Sequence, residues 1–133
     1  MTSGGGENMP SSHGAIAVID DDHGVRAALC NLLDSAGYRS CRFSSGEEFL
    51  ASDCMPVAVC AIIDLQLACM SGFELAERLA LARPDLPLLF ISAQVTPRQQ
   101  QRASALGGAL LAKPVDADTL LALLTACLLY GRP

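Results

Sequence analysis

Polar residues at four places along the chain could do chemistry together if the fold brings them to one place. Three consecutive acids, Asp20 to Asp22, follow an apolar segment, and Asp64 ends a second apolar segment. Ser92 ends a third such segment and Lys113 follows a fourth. Carboxylates that converge without a counter-charge repel one another. A hard divalent cation with oxygen ligands relieves that repulsion, and Mg²⁺ suits a site of a few carboxylates plus water.

Such a set of groups predicts phosphoryl transfer. The metal and Lys113 would neutralise charge that develops on the phosphoryl oxygens, the Ser92 hydroxyl could bond one of them, and a carboxylate would attack in line. Asp64 is the natural nucleophile, because it stands alone at the end of the central predicted strand. The acids after the first strand are better suited to holding the metal.

The elements that must position these residues alternate between short apolar strands and helical patterns. Five continuous apolar strands, each followed by a helix, predict a parallel sheet with helices on both faces. Sheets of this kind place their sites at the carboxyl ends of the strands. The sequence predicts strands at 15–19, 38–43, 57–63, 88–91 and 109–112, and helices at about 25–36, after Ser44 or Ser45, at 72–83, at 97–106, and from Asp116 or Asp118 to Tyr130.

Length and composition predict one domain with an aliphatic core. The chain has 133 residues, of which 51% are apolar and 17% are charged. A net charge of −5 argues against direct nucleic-acid binding, and no run of 18 apolar residues predicts a membrane span. Residues 1–14 have the composition of a disordered lead-in without a signal peptide, and 131–133 are predicted to be a tail around a domain at 15–130.

The six cysteines do not form a metal-binding or redox pattern. None is spaced as C-x-x-C, and several lie inside apolar periodic segments where a thiol acts as a small hydrophobe. We expect core cysteines of a cytoplasmic protein. Cys69 differs, because it falls in a loop beside the predicted site.

Four short segments together resemble the ordered motifs of bacterial response-regulator receiver domains. They are V-I-D-D-D (18–22), I-I-D-L-Q-L-A-C-M-S-G-F-E-L (62–75), F-I-S-A (90–93) and A-K-P (112–114). The resemblance extends from residue 15 to about 130. It implies a flavodoxin-like, doubly wound sheet with strand order 2-1-3-4-5, in the subgroup that precedes helix-turn-helix outputs.

The resemblance also implies a role for each site residue. Asp64 corresponds to the aspartate that is phosphorylated by a histidine kinase. Asp21 corresponds to the direct Mg²⁺ ligand, Asp20 to the acid that acts largely through water, and the backbone carbonyl of Gln66 to a third ligand.

Ser92 corresponds to the hydroxyl that moves toward the phosphoryl group, and Lys113 to the lysine that pairs with it. The family implies a cis bond between Lys113 and Pro114, and positions Gln66 and Gln94 tune the lifetime of the phosphoryl group. The family is no conventional enzyme, since it catalyses only its own phosphorylation and dephosphorylation.

Two departures from the family pattern concern the output. Ala68 and Cys69 replace the usual proline and glycine after the acceptor, and Leu110 stands where an aromatic side chain usually reports phosphorylation. A degenerate receiver that binds or dimerises without phosphorylation is therefore the alternative. A phosphohydrolase-like enzyme would need a second acid at Gln66. The leucine-rich last helix predicts a homodimer through that helix and the fifth strand.

Overall fold

The computed structural model describes residues 14–131, which form ten helices and strands in strict alternation. The strands are β1 (Ile16–Ile19), β2 (Ser40–Phe43), β3 (Cys60–Asp64), β4 (Leu88–Ser92) and β5 (Gly108–Ala112). The helices are α1 (His23–Ser35), α2 (Gly46–Leu50), α3 (Gly72–Ala82), α4 (Pro97–Ala105) and α5 (Ala117–Tyr130).

All strand pairs are parallel, and the sheet order is β2-β1-β3-β4-β5. The predicted doubly wound fold with strand order 2-1-3-4-5 is therefore confirmed. The register places Ile19 opposite Ile63, so the chain leaves β1 and β3 at neighbouring points of the same sheet edge.

The core has two layers, one on each face of the sheet. Alternate strand residues point to opposite faces, so Ala17 and Ile63 pack under α2, α3 and α4, whereas Val18 and Ile62 pack under α1 and α5. Both faces of β1, β3 and β4 are buried, which explains why their sequences are apolar without alternation.

Helix boundaries follow the capping residues that the sequence shows. Asp22 caps α1 by accepting from the Val25 N–H at 3.1 Å, and Thr96 precedes Pro97 in a capping box that opens α4. Asp116, rather than Asp118, is the N-cap of α5.

The predicted start of the third strand at residue 57 is wrong. The Val57 N–H bonds the Cys54 carbonyl within a turn, and pairing with β1 begins at Cys60. Arg83 holds this turn by donating to the carbonyls of Met55 at 2.7 Å and Ala58 at 3.0 Å. An apolar sequence pattern cannot reveal that a distant arginine satisfies these carbonyls.

Two predictions about the chain ends fall largely outside the described residues. Of the predicted lead-in only Gly14 lies within the described range, and of the predicted tail only Gly131. Within residues 14–131, no helix has the length and apolar character needed to cross a membrane.

Candidate functional site

Three predicted acids meet at the carboxyl edge of the sheet. Asp20 and Asp21 follow β1 directly, and Asp64 is the last residue of the adjacent β3. One carboxylate oxygen from each of the three lies within 4.8 Å of the others. The neighbouring strand ends bring these oxygens together, as the sequence predicted.

Asp20 is fully buried and is held at several of its polar atoms. Its backbone N–H donates to the Phe43 carbonyl at 3.1 Å, and its Oδ1 accepts from the Asp22 N–H at 2.8 Å. Its Oδ2 has no hydrogen-bond partner of suitable geometry among residues 14–131, although Lys113 Nζ lies 3.0 Å away. A buried carboxylate oxygen that is not fully satisfied, beside two more carboxylates, fits a small cation with oxygen ligands.

Lys113 extends from the end of β5 to both buried acids. Its Nζ lies 3.0 Å from Asp20 Oδ2 and 3.4 Å from Asp64 Oδ2. Burial alone would lower the pKa of the Lys113 ammonium, but the two carboxylates outweigh burial and raise its pKa. Lys113 therefore stays charged and offsets part of the repulsion between the acids. The bond from Lys113 to Pro114 is cis, as predicted.

Asp64 is buried and its charged form is disfavoured. Burial raises the pKa of Asp64; the Gln66 N–H, which donates to Oδ1 at 3.1 Å, opposes this effect, and the nearby Asp20 charge adds to it. Lys113 lowers this pKa without reversing the shift. The Gln66 residue itself is exposed at the rim of the site.

Ser92 ends β4 on the same edge, but its hydroxyl is engaged within its own loop. Its Oγ donates to the Gln94 carbonyl at 2.6 Å and accepts from the Gln94 N–H at 3.2 Å. The structure thus places Ser92 at the predicted rim with its hydroxyl turned into the β4–α4 loop. Gln94 contacts Ser92 through its backbone, and the residue is exposed.

The two departures from the usual pattern also lie near this edge. Cys69 is exposed in the loop after β3. Leu110 is half-buried on β5, opposite Phe90 of β4, and packs against the core face that α3 and α4 cover.

Arg26 is a residue of this edge that the sequence analysis missed. From α1 its Nη1 donates to the Asp20 carbonyl at 2.7 Å, and its Nη2 lies 3.3 Å from His23 Nδ1. It therefore holds the turn that carries the acid pair. A signal existed in the spacing, since a helical arginine six residues after an acid at a strand end can reach back over the first turn.

Comparison with known proteins agrees with this geometry. Residues 16–125 match the family model described as response regulator receiver domain. The chain is 32% identical over 119 residues to Nodulation protein W of Bradyrhizobium diazoefficiens, covering 88% of this chain and 52% of that protein. It is 30% identical over 126 residues to the transcriptional regulatory protein FixJ of the same organism, covering 92% of this chain and 60% of FixJ.

A solved structure shows the same fold. The non-phosphorylated HemR receiver domain from Leptospira biflexa superposes with a TM-score of 0.80 at 28% identity, covering 90% of this chain and 98% of that one. The chain spans between half and two thirds of the length of Nodulation protein W and FixJ. From the family match and the shared acidic edge, we conclude that the chain belongs to the response regulator receiver domains, the signalling domains of two-component systems.

Proposed function

We propose that Asp64 accepts a phosphoryl group from a histidine kinase and that the modified domain changes its association with partners. The observation that carries this proposal is the convergence of Asp20, Asp21 and Asp64 within 4.8 Å, with Lys113 in contact with two of them. An attacking carboxylate and a neighbouring cation are thereby held at one edge before any donor arrives. We take residues 15–130 as the functional unit.

The residues of this edge have separate roles in the transfer, some holding a metal ion and one supplying positive charge. Receiver domains bind Mg²⁺ at an acidic cluster, and here Asp20, Asp21, Asp64 and the Gln66 carbonyl would hold it. When bound, the metal supplies positive charge against the phosphoryl oxygens. Lys113 adds a second cation, and burial excludes water from Asp64, which strengthens both interactions.

The transfer itself replaces one bond to phosphorus by another. An Asp64 oxygen bonds to phosphorus as the bond from phosphorus to the donor breaks, and the donor leaves with its electron pair. Ser92 would then turn its hydroxyl toward a phosphoryl oxygen. That rotation breaks its 2.6 Å bond to the Gln94 carbonyl, so phosphorylation and the conformation of the β4–α4 loop are coupled. Gln66 and Gln94, at the rim, would tune how long the phosphoryl group persists.

An apolar groove next to Lys113 supports a protein donor. It encloses about 220 Å³ and is lined by Lys113, Pro114, Val115 and the side of α1 that carries Val25, Ala28, Leu29 and Leu32. We propose that a helix of the histidine kinase packs here and presents its phosphohistidine to Asp64.

The last helix supports a change in association as the outcome. Leu129 and Tyr130 are 68% and 84% exposed at the end of α5. Exposed apolar side chains favour a partner surface, and we propose a homodimer formed through α5 and β5. Sedimentation velocity of the phosphorylated and unmodified protein measures this directly.

Intact mass tests the acceptor. Incubation with Mg²⁺ and acetyl phosphate should add one phosphoryl mass that hydroxylamine removes, because an acyl phosphate is cleaved by this nucleophile. Asp64→Asn should add none, whereas Asp34→Asn, which changes an exposed acid of α1, should behave as the wild type. No gain by the wild type with acetyl phosphate or a kinase would refute the acceptor role. A gain that persists in Asp64→Asn would place the acceptor elsewhere.

The degenerate receiver is the second candidate, and the half-buried Leu110 at the aromatic position favours it. In that case Asp64→Asn would leave the oligomeric state and partner binding unchanged, with or without a phosphoryl donor.

A further inference from the structure

α4 lies against β5 but buries few of its own side chains. Of its nine residues, Pro97–Ala105, Ala103 is the buried one, and most of the others are polar and exposed. A helix with so small a buried face depends on other contacts for its position. The contact that stands out lies in its last turn, at Arg102.

Arg102 bridges from α4 to two residues of α3. Its guanidinium carbon lies 4.7 Å from the centre of the Phe73 ring, and its Nη2 lies 3.0 Å from Glu77 Oε2. Phe73 and Glu77 are four residues apart and so share one face of α3. A planar guanidinium can stack on a ring and bond a carboxylate at once, which a lysine cannot do as well.

The Phe73 ring continues this contact into the core beneath Ser92. It packs against the Phe90 ring with centroids 5.3 Å apart at 59°, a tilted arrangement that aromatic pairs favour. Phe90 lies on β4 two residues before Ser92, so both point to the same face. The Phe90 ring occupies the space over Gly108, where an added Cβ would lie 2.6 Å from Phe90 Cε2. A row of Phe90, Phe73 and Arg102 thus links the strand that carries Ser92 to α4.

The β4–α4 loop links the same two elements through the backbone. The Ser92 hydroxyl bonds the backbone of Gln94, and the loop ends at Thr96, whose capping box fixes the first turn of α4. A rotation of the Ser92 hydroxyl toward Asp64 frees this loop. Whether α4 then moves depends on how firmly its last turn is attached to α3.

We propose that the contacts of Arg102 with Phe73 and Glu77 form a latch that holds α4 against α3 in the unphosphorylated domain. These contacts break when Asp64 is phosphorylated. This proposal rests on the proposed function and names the regulation of its site. Under this proposal Leu110 only packs against the core, because the aromatic side chains that couple the site to α4 are Phe90 on β4 and Phe73 on α3. The strength of the latch then sets the fraction of unphosphorylated molecules in which α4 is detached from α3.

Hydrogen exchange of the α4 amides tests the latch. In the absence of a donor, Arg102→Ala should raise exchange across residues 97–105 by about three- to tenfold, the range of a partly exposed cation–π contact with an ion pair. Phosphorylation of the wild type should raise its α4 exchange toward the level of unphosphorylated Arg102→Ala. Phosphorylation of Arg102→Ala should raise exchange by a smaller factor than it does in the wild type.

Matched variants separate the latch from a general loss of charge. Arg98→Ala removes an exposed arginine of the same helix and should leave exchange unchanged. Glu77→Gln removes the ion pair, and Phe73→Leu removes the ring face but keeps most of the apolar volume, so each should give an intermediate increase. Equal exchange in Arg102→Ala and Arg98→Ala would overturn the latch. So would an undiminished response to phosphorylation in Arg102→Ala.

Intact mass measured on the same samples distinguishes the two proposals. If no sample gains a phosphoryl group, the proposed function fails, while the donor-free comparison still decides whether Arg102 holds α4. If all samples gain it and the α4 amides respond alike, the latch fails and the acceptor role of Asp64 stands.

Discussion

Gly72 is the residue at which we expect one methyl group to disturb both the fold and the acceptor strand. It opens α3 directly beside the end of β3. A Cβ at this position would lie 2.5 Å from the Asp64 carbonyl oxygen and 2.8 Å from Leu65 Cα. Both are backbone atoms, which cannot rotate away as a side chain can. Gly72→Ala must therefore push the first turn of α3 off the strand end.

The size of the effect follows from these distances. Non-bonded contacts are most favourable at about 3.5 Å or more, so the first turn has to retreat by roughly 1 Å. Overpacking of this kind costs about 1–3 kcal/mol. The better helix propensity of alanine offsets at most about 1 kcal/mol, and less in a first turn. We expect Gly72→Ala to lower the free energy of unfolding by about 1–2 kcal/mol.

Urea unfolding followed by far-ultraviolet circular dichroism measures this difference, since the chain has no tryptophan. Gly24→Ala is the matched control, because its Cβ would meet only the exposed Asp22 side chain, at 3.3 Å. That variant should lose much less stability than Gly72→Ala, because an exposed side chain can move by the few tenths of an ångström that the contact requires. If Gly72→Ala retained full stability, or if both variants lost the same amount, close backbone approach would not be the reason for glycine at position 72.

Three further predictions concern titratable groups. Lys113→Met should lower the free energy of unfolding by about 1–3 kcal/mol at pH 7 without Mg²⁺. Because the pKa of Lys113 is raised in the folded state, the difference in unfolding free energy between this variant and the wild type, measured by urea titration, should shrink as pH rises through the folded-state pKa. Asp116→Ala should destabilise α5 at pH 7, because bonds from Thr119 lower the pKa of Asp116 below 3.8; that contribution is lost as pH falls through the folded-state pKa, so equal destabilisation at pH 7 and pH 2 would contradict it. Peptide mapping after iodoacetamide treatment at pH 8 should find exposed Cys69 alkylated and Cys54 intact. Burial, together with the hydrogen bond that the Cys54 thiol donates to Cys41, raises the pKa of Cys54 to about 12, and rapid native labelling of Cys54 would refute this.

Much of the fold was predictable because its signals are local. Continuous apolar strands indicate a sheet buried on both faces, and caps such as Asp22 and Thr96 mark helix starts through bonds made within one turn. The start of the third strand was not predictable. It depends on Arg83, which satisfies carbonyls more than twenty residues away in the chain.

The candidate site shows the same division. That Asp20, Asp21, Asp64 and Lys113 share one edge followed from their positions at strand ends, since parallel strands present all their carboxyl ends together. The spacing of Arg26 allows its contact with the Asp20 carbonyl but does not select it, and nothing in the sequence points Arg102 to Phe73 and Glu77, because a long arginine side chain can reach many partners.

The sequence by itself therefore determined the sheet, the edge at which the polar residues gather and the residue types on it, because periodicity and strand-end position act over short stretches of chain. Tertiary structure alone decided how those residues are engaged. It set the Ser92 hydroxyl on Gln94, Lys113 between two carboxylates, and Arg102 over Phe73. The contacts of Lys113 and Arg102 join side chains from different elements, so their geometry exists only after those elements have packed together, and the Ser92 bond depends on the conformation that the β4–α4 loop takes in the folded domain.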